Sequence, residues 1–246
     1  MMDPKRDEAR QFLTGFEERL RGSLRQSEQA AQGKSIAEQI DQLRAHARAD
    51  ERKKHLKAPE AAFLNNWVAP ALFEQLRAAG LNESEAKVAL LAESHTSLKT
   101  ISGGPAARPV AFPFDKKMGV AAGDIYDRWA GRLGGQPFTQ PYPDLAVRHE
   151  SYQVVFEGKY FRSGSPKYAE RQLVAAIHEA LFYLGVPEIS AQGRDWGYKY
   201  ACLVAFDASP DATLLTAWKN LKGTRSKFWD CANLHVIVVG SKEIAG

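Results

Sequence analysis

Three residues in the C-terminal half of the chain have the types and spacing for phosphodiester chemistry. Asp144 follows a proline, and Glu157 and Lys159 flank a glycine a short way downstream. Hydrolysis of a phosphodiester needs a divalent cation held by carboxylates, a water made nucleophilic, and positive charge for the pentavalent phosphate. Mg²⁺ prefers oxygen ligands and keeps several waters, so one or two carboxylates suffice. A lysine beside them orients the attacking water, favours its deprotonated form and stabilises the developing charge. Alternate side chains of a strand share a face, so Glu157 and Lys159 project together and Gly158 faces the other way. A hairpin between the segments PDLAVRH and YQVVFEGKYF returns Asp144 to that pair. The competing reading is a Glu–Lys couple that keeps the polar face of an edge strand soluble.

The elements that must position these residues are legible as periodicities. PDLAVRH is a short strand candidate, and Glu150 and Ser151 supply a turn. YQVVFEGKYF is a second strand, rich in aromatic and β-branched residues. Ser165 before Pro166 marks a helix start, with serine as cap and proline at the first helical position. Leu173, Ile177, Ala180 and Leu184 give that helix one buried face, and Gly185 ends it. YACLVAF is a nearly continuous apolar run, as expected of a strand buried on both faces. Residues 212–221 read as a short helix and LHVIVVG as a fourth strand. Upstream, Phe12, Phe16, Leu20 and Leu24 recur at four-residue steps, and Ile36, Ile40 and Leu43 repeat the pattern after Gly33. Residues 1–57 thus read as a helical arm, either two amphipathic helices or one broken helix. It packs on itself or a partner, or grips DNA through the basic stretch ARADERKKHLK. Pro59 opens a helical stretch containing Phe63, Trp67, Leu72, Phe73 and Leu76, stopped at Gly80. Asn82 with Glu85 forms a capping-box start for a helix reaching about Lys99. Residues 101–121 read as loop or short strand, and 124–133 as a short helix.

Pro143-Asp144, a spacer, Glu157-Gly158-Lys159, a Ser165-capped helix and an apolar strand together resemble the PD-(D/E)XK, or restriction-endonuclease-like, nucleases. The matching order covers about residues 122–240, within a unit spanning 58–246. The resemblance implies an α/β fold with a restriction-endonuclease-like central mixed sheet flanked by helices, here preceded by an N-terminal helical region. It implies Asp144 and Glu157 as ligands of Mg²⁺, for which Mn²⁺ can substitute, and Lys159 as a catalytic residue. Many members of the family add an acidic residue from an upstream helix, for which Glu93, Asp124 and Asp127 are candidates. The helix after the second strand lacks the Gln-X-X-X-Tyr pattern of some exonuclease relatives, since Gln172 is followed by Ala176.

Arg162, Lys167, Arg171, Arg194 and Lys199, with Lys116 and Lys117, are the expected phosphate contacts. The segment GRDWGYKY is a candidate DNA-facing loop. Other chemistries are excluded by their missing parts. Gly33-Lys34-Ser35 imitates the end of a P-loop, but position 28 is glutamate and no strand precedes it. Neither GxGxxG nor GxSxG occurs, and the six histidines and two cysteines show no metal-ligand spacing.

Of the 246 residues, 44% are hydrophobic and 25% charged, an ordinary globular balance that argues against disorder of the whole chain. A net charge of +4 permits a phosphate-rich partner without requiring one. The N-terminus has no apolar core of a secretory signal, and no apolar run approaches the ~20 residues that span a bilayer. The expectation is a cytoplasmic, non-membrane, Mg²⁺-dependent endonuclease acting on double-stranded DNA. It is expected to be a type II restriction enzyme and, by symmetry with a palindromic site, a homodimer. The alternatives are a structure-selective or repair nuclease and a non-cleaving DNA-binding protein that keeps the fold.

Overall fold

The computed structural model describes residues 4–49, 58–92, 144–149, 153–182, 200–224 and 233–240. Their centre is a five-stranded mixed sheet in the order β1-β2-β3-β4-β5. Here β1 is Leu90–Ala92, β2 Leu145–Arg148, β3 Gln153–Phe161, β4 Tyr200–Asp207 and β5 Leu234–Gly240. β1, β2 and β3 pair antiparallel, whereas β3, β4 and β5 pair parallel. The parallel pairs are joined through helices, α6 (Pro166–Phe182) between β3 and β4, and α7 (Thr213–Thr224) between β4 and β5. The chain is thus an α/β protein with a helix-flanked mixed sheet and an N-terminal helical region.

The alternation of the strands divides the core in two. Val154, Phe156, Cys202, Val204 and Phe206 face the N-terminal helices, and Val155, Ala201, Leu203 and Ala205 face α6 and α7. β4 is buried along its whole length, as its unbroken apolar run requires. The N-terminal region forms two helices, α1 (Pro4–Ala30) and α2 (Ile36–Ala49), broken at Gln32 and Gly33, both at positive φ. Phe12, Phe16, Leu20 and Leu24 are the buried face of α1, and the Phe16 ring meets Phe156 of β3 edge-on at 5.6 Å. Each such aromatic, fully removed from water, contributes roughly 1.5–3 kcal/mol. The arm therefore shares one core with the sheet.

The stretch opened by Pro59 is a single helical run with an irregular centre: α3 (Pro59–Phe63), a π-helical turn (Leu64–Val68) and α4 (Ala69–Ala78). Pro70 has no N–H to offer the carbonyl one turn back. The turn before it widens, so that the Ala69 N–H reaches the Leu64 carbonyl, five residues away. The Asn82–Glu85 capping box forms as expected and starts α5 (Glu83–Ala89). That helix does not continue to Lys99. Leu90–Ala92 are extended as β1, because Leu90 and Leu91 pair with Val147 and Ala146 of β2. The expected helix at 124–133 and the segment 101–121 lie outside the described residues.

Candidate active site

The two expected strands form a hairpin whose members differ in length. Among the described residues β2 pairs with β3 only from Arg148–Gln153 to Leu145–Phe156, and β3 runs on without a strand on that side from Glu157 to Phe161. Its next outward N–H groups are met by carboxylates instead of a strand. Asp144 Oδ2 accepts the Gly158 N–H at 2.7 Å. The carboxylate of Glu60, in the first turn of α3, accepts the Tyr160 N–H. β3 is thus an inner strand with one open flank, not the edge strand of the competing reading. Its Glu–Lys pair is also not surface decoration, since the Glu157 side chain is only 4% exposed.

Glu157 and Lys159 project from one face, as alternation requires, toward α6. The Lys159 ammonium donates to Glu157 and sits 3.1 Å from Glu179 Oε2 of α6. One lysine is therefore surrounded by Glu60, Asp144, Glu157 and Glu179. Loss of hydration pushes Asp144 up to about 6, with Lys159 and the Gly158 N–H pulling the other way. Loss of hydration likewise raises Glu60 to about 7; Lys159 opposes this rise, and Asp144 and Glu179 add to it. Burial, then the charge of Asp144, holds Glu157 well above the usual carboxylate range. Burial alone would lower Lys159, but the carboxylates around it hold the ammonium more firmly than in water.

Among the described residues, no three His, Cys, Asp or Glu side chains gather as ready ligands of one metal ion. The donor set nevertheless fits a hard cation. It is all carboxylate oxygen, and one ammonium stands against four acids, two of which are also tied to backbone N–H groups. Asp144 and Glu157 are the residues that would hold the ion, with Glu60 beside them.

Sequence reasoning missed Glu60 and Glu179. Glu60 reads as an ordinary acid in the first turn of a helix, favourable to the helix dipole wherever it points. Glu179 carries a weak signal, because it borders the apolar face of Leu173, Ala176 and Ala180. Glu93, Asp124 and Asp127, the acids expected from upstream, lie outside the described residues, as do Lys116, Lys117, Arg194 and Lys199. Gln172, Leu173 and Ala176 of α6 line a small cavity of about 40 Å³ with Lys159. Arg162 grips Asp41 of α2 through one nitrogen at 2.6 and 2.8 Å, tying the arm to the end of β3. Lys167 and Arg171 are exposed on the first half of α6. Cys202 is a buried free thiol facing the N-terminal helices. Among the described residues no helix is long and apolar enough to cross a membrane.

Comparison with family models, curated proteins and solved structures yields no match.

Proposed function

We propose that the chain is a metal-dependent nuclease of the PD-(D/E)XK type. The observation that carries this reading is the meeting of Asp144, Glu157 and Lys159 on the flank of β3 that β2 leaves open. Residues separated in sequence arrive there because one strand stops short and its neighbour continues. The adjacent antiparallel Asp and Glu-X-Lys strands, followed by a Ser165-capped helix crossing to a parallel apolar strand, agree with the family's order. Glu60 takes the part of the acidic residue from an upstream helix.

In this reading Asp144 and Glu157 bind Mg²⁺ or Mn²⁺, and Glu60 supplies further negative charge to the same place. The bound ion supplies Lewis-acid stabilisation of the phosphate and a more acidic water. Lys159 remains an ammonium among carboxylates. It therefore acts as an electrostatic group, orienting the water and stabilising charge on the phosphate, and does not act as the base. Glu179 fixes the lysine from the other side. Within the superfamily, a type II restriction enzyme acting as a homodimer on double-stranded DNA is the specific proposal. It rests on the helical arm that packs against the sheet carrying the site. The test is cleavage of supercoiled plasmid and linear duplex by metal-stripped protein with Mg²⁺, Mn²⁺, Ca²⁺ or EDTA. Cutting with the first two, at discrete positions, and binding without cutting in Ca²⁺ is the expected result. Equal cutting in EDTA, or no cutting under any condition, overturns the proposal.

A further inference from the structure

The molecule carries a second concentration of positive charge away from the carboxylate site. Among the described residues β5 has no neighbour on its outer side, and a groove of about 460 Å³ runs along that edge between α1 and α7. Among the described residues its walls hold four cations, Arg10 and Arg21 from α1 and Lys219 and Lys222 from α7, against a single carboxylate, Glu17. Glu17 is already engaged, by Arg21 at 2.8 Å and by the His235 ring at 2.9 Å. Lys219 and Lys222 are exposed and have no ion-pair partner among the described residues. The floor is the edge strand, with Leu234, His235, Val236 and Val238. Arg21 reaches the Val238 carbonyl at 3.3 Å, which shows that the main-chain groups of Val238 point out of the sheet. Strand alternation turns those of Val236 and Leu234 outward as well. Trp218 adds an aromatic surface to the α7 wall.

A second copy of the chain does not suit this groove, because a symmetric edge-to-edge pair would bring two such sets of cations together. A polyanion does suit it. The sheet register fixes how far the groove lies from the candidate active site. Glu157 stands beside Leu203 and Leu203 beside Val236, while Lys159, Ala205 and Val238 form the next row. Two inter-strand spacings are roughly 10 Å, which is about three base-pair rises of a duplex.

We propose that the groove between α1 and α7, along the free edge of β5, binds the phosphodiester backbone of DNA outside the position of cleavage. The inference deepens the nuclease reading and rests on it for the identity of the polyanion. Lys219 and Lys222 are the phosphate-facing cations, and Arg10 adds positive charge to the opposite wall. Arg21 shapes the groove through its bonds to Glu17 and Val238.

The test compares wild type, Lys219→Ala/Lys222→Ala and Lys34→Ala, the last removing an exposed cation at the α1–α2 turn. Binding of a fluorescein-labelled 30-base-pair duplex is followed by anisotropy in Ca²⁺ over a range of salt. Cleavage by the same preparations is measured in Mg²⁺, and a melting curve checks folding. The double variant is expected to melt like wild type and to lose about tenfold in affinity at low salt. Its slope of log affinity against log salt should shrink by about 2, as for two lost phosphate contacts, with Lys34→Ala unchanged. An unchanged slope in the double variant overturns the groove even if the wild type cuts DNA. The expected slope change in a protein that never cuts supports the groove while the nuclease reading fails. A polyglutamate competitor that displaces the duplex at equal charge concentration from wild type but not from the double variant overturns the proposal in favour of an acidic protein partner.

Discussion

The Asp144 carboxylate stands in for a strand: its Oδ2 accepts the Gly158 N–H at 2.7 Å, just beyond the last β2–β3 pair, Leu145 with Phe156. One oxygen thus has a structural task and the other is left for chemistry. This separates two substitutions that are often treated alike. Asn at position 144 keeps an acceptor for Gly158 but loses the charge, whereas Ala loses both. At pH 6, where the Asp144 carboxyl is protonated much of the time, Asp144→Asn should melt within a degree or two of wild type, and it should lose single-turnover cleavage by a factor on the order of 10² or more. Asp144→Ala should lose as much activity and also melt lower, because the Gly158 N–H has no partner on the open flank, a cost of about 1–3 kcal/mol. Near-normal cleavage by a folded Asp144→Asn would remove this residue from the site.

Lys159 joins catalysis to stability in the same way. It is the cation that the buried Glu157 carboxylate touches, so removing it leaves that acid buried beside Asp144 and Glu179 without the lysine's charge. A polar residue at an open site usually contributes little to the core, but the burial of Glu157 argues otherwise here. Lys159→Met should abolish cleavage while duplex affinity in Ca²⁺ changes less than about threefold, since one of several phosphate-facing charges is lost. It should also lower stability at pH 8 by roughly 1–3 kcal/mol, and part of that should return at pH 6, because burial holds Glu157 well above the usual carboxylate range and a proton relieves its unpaired charge. Melting curves at the two pH values, run beside the cleavage assay, check both parts. A variant that cuts DNA at the wild-type rate leaves Lys159 with only a structural role.

The raised carboxylates set a pH dependence of the metal-free protein. Asp144 and Glu60 hold protons in the folded state up to about 6 and about 7, while in the unfolded chain they release them near their ordinary values of 3.8 and 4.5. Between those limits the folded state binds more protons, so stability falls as pH rises. The cost is absent below the ordinary values, grows through about pH 7 and is constant above. The melting temperature of the stripped protein should therefore be a few degrees higher at pH 6 than at pH 8. Mg²⁺ should raise it at pH 8 more than at pH 6, because the ion replaces the missing protons. Glu60→Gln, which keeps an acceptor for the Tyr160 N–H, should reduce the pH difference. A melting temperature that rises from pH 6 to pH 8 without metal would contradict the crowding of acids around Lys159.

Much of the fold was legible because it follows from local pattern. The Asn82 capping box, the Ser165–Pro166 start of α6, the apolar run of β4 and the four-residue repeat of α1 each depend on near neighbours. The end of α5 was not legible. Val88, Ala89 and Leu90 suit a helix, and only the distant residues Ala146 and Val147 make Leu90–Ala92 a strand. The site divides along the same line. Glu157 and Lys159 are two apart on one strand, so their common face follows from alternation. Glu60 comes from a helix nearly a hundred residues away, and its place depends on how α3 meets β3. Arg162 was expected to meet phosphate, and its type and exposure said nothing of Asp41, which holds it in the folded chain.

The glycine between Glu157 and Lys159 makes a final prediction possible. Gly158 turns away from the two functional side chains, toward the N-terminal helices, where the π-helical turn presses Leu64 against the strand. A Cβ at Gly158 would meet Leu64 Cδ1 and Cδ2 at 2.7 Å and Cγ at 2.9 Å, closer than carbon atoms tolerate. The backbone that supports the site and the turn that Pro70 distorts are therefore in direct contact, with no room for a methyl group. Gly158→Ala should cost about 1–3 kcal/mol by overpacking. It should also lower cleavage more than DNA affinity, because the strand must move away from Leu64 and takes Glu157 and Lys159 with it. Leu64→Ala alone removes buried apolar volume and should cost about 2–5 kcal/mol. The two changes are complementary in shape, so the double variant should be less damaged than the sum of the singles. A double-mutant cycle in melting and cleavage measures this coupling, expected at about 1 kcal/mol or more in the favourable direction. Strict additivity, with Gly158→Ala as active as wild type, would mean that the strand relaxes freely and that the glycine is not required for the spacing of the site.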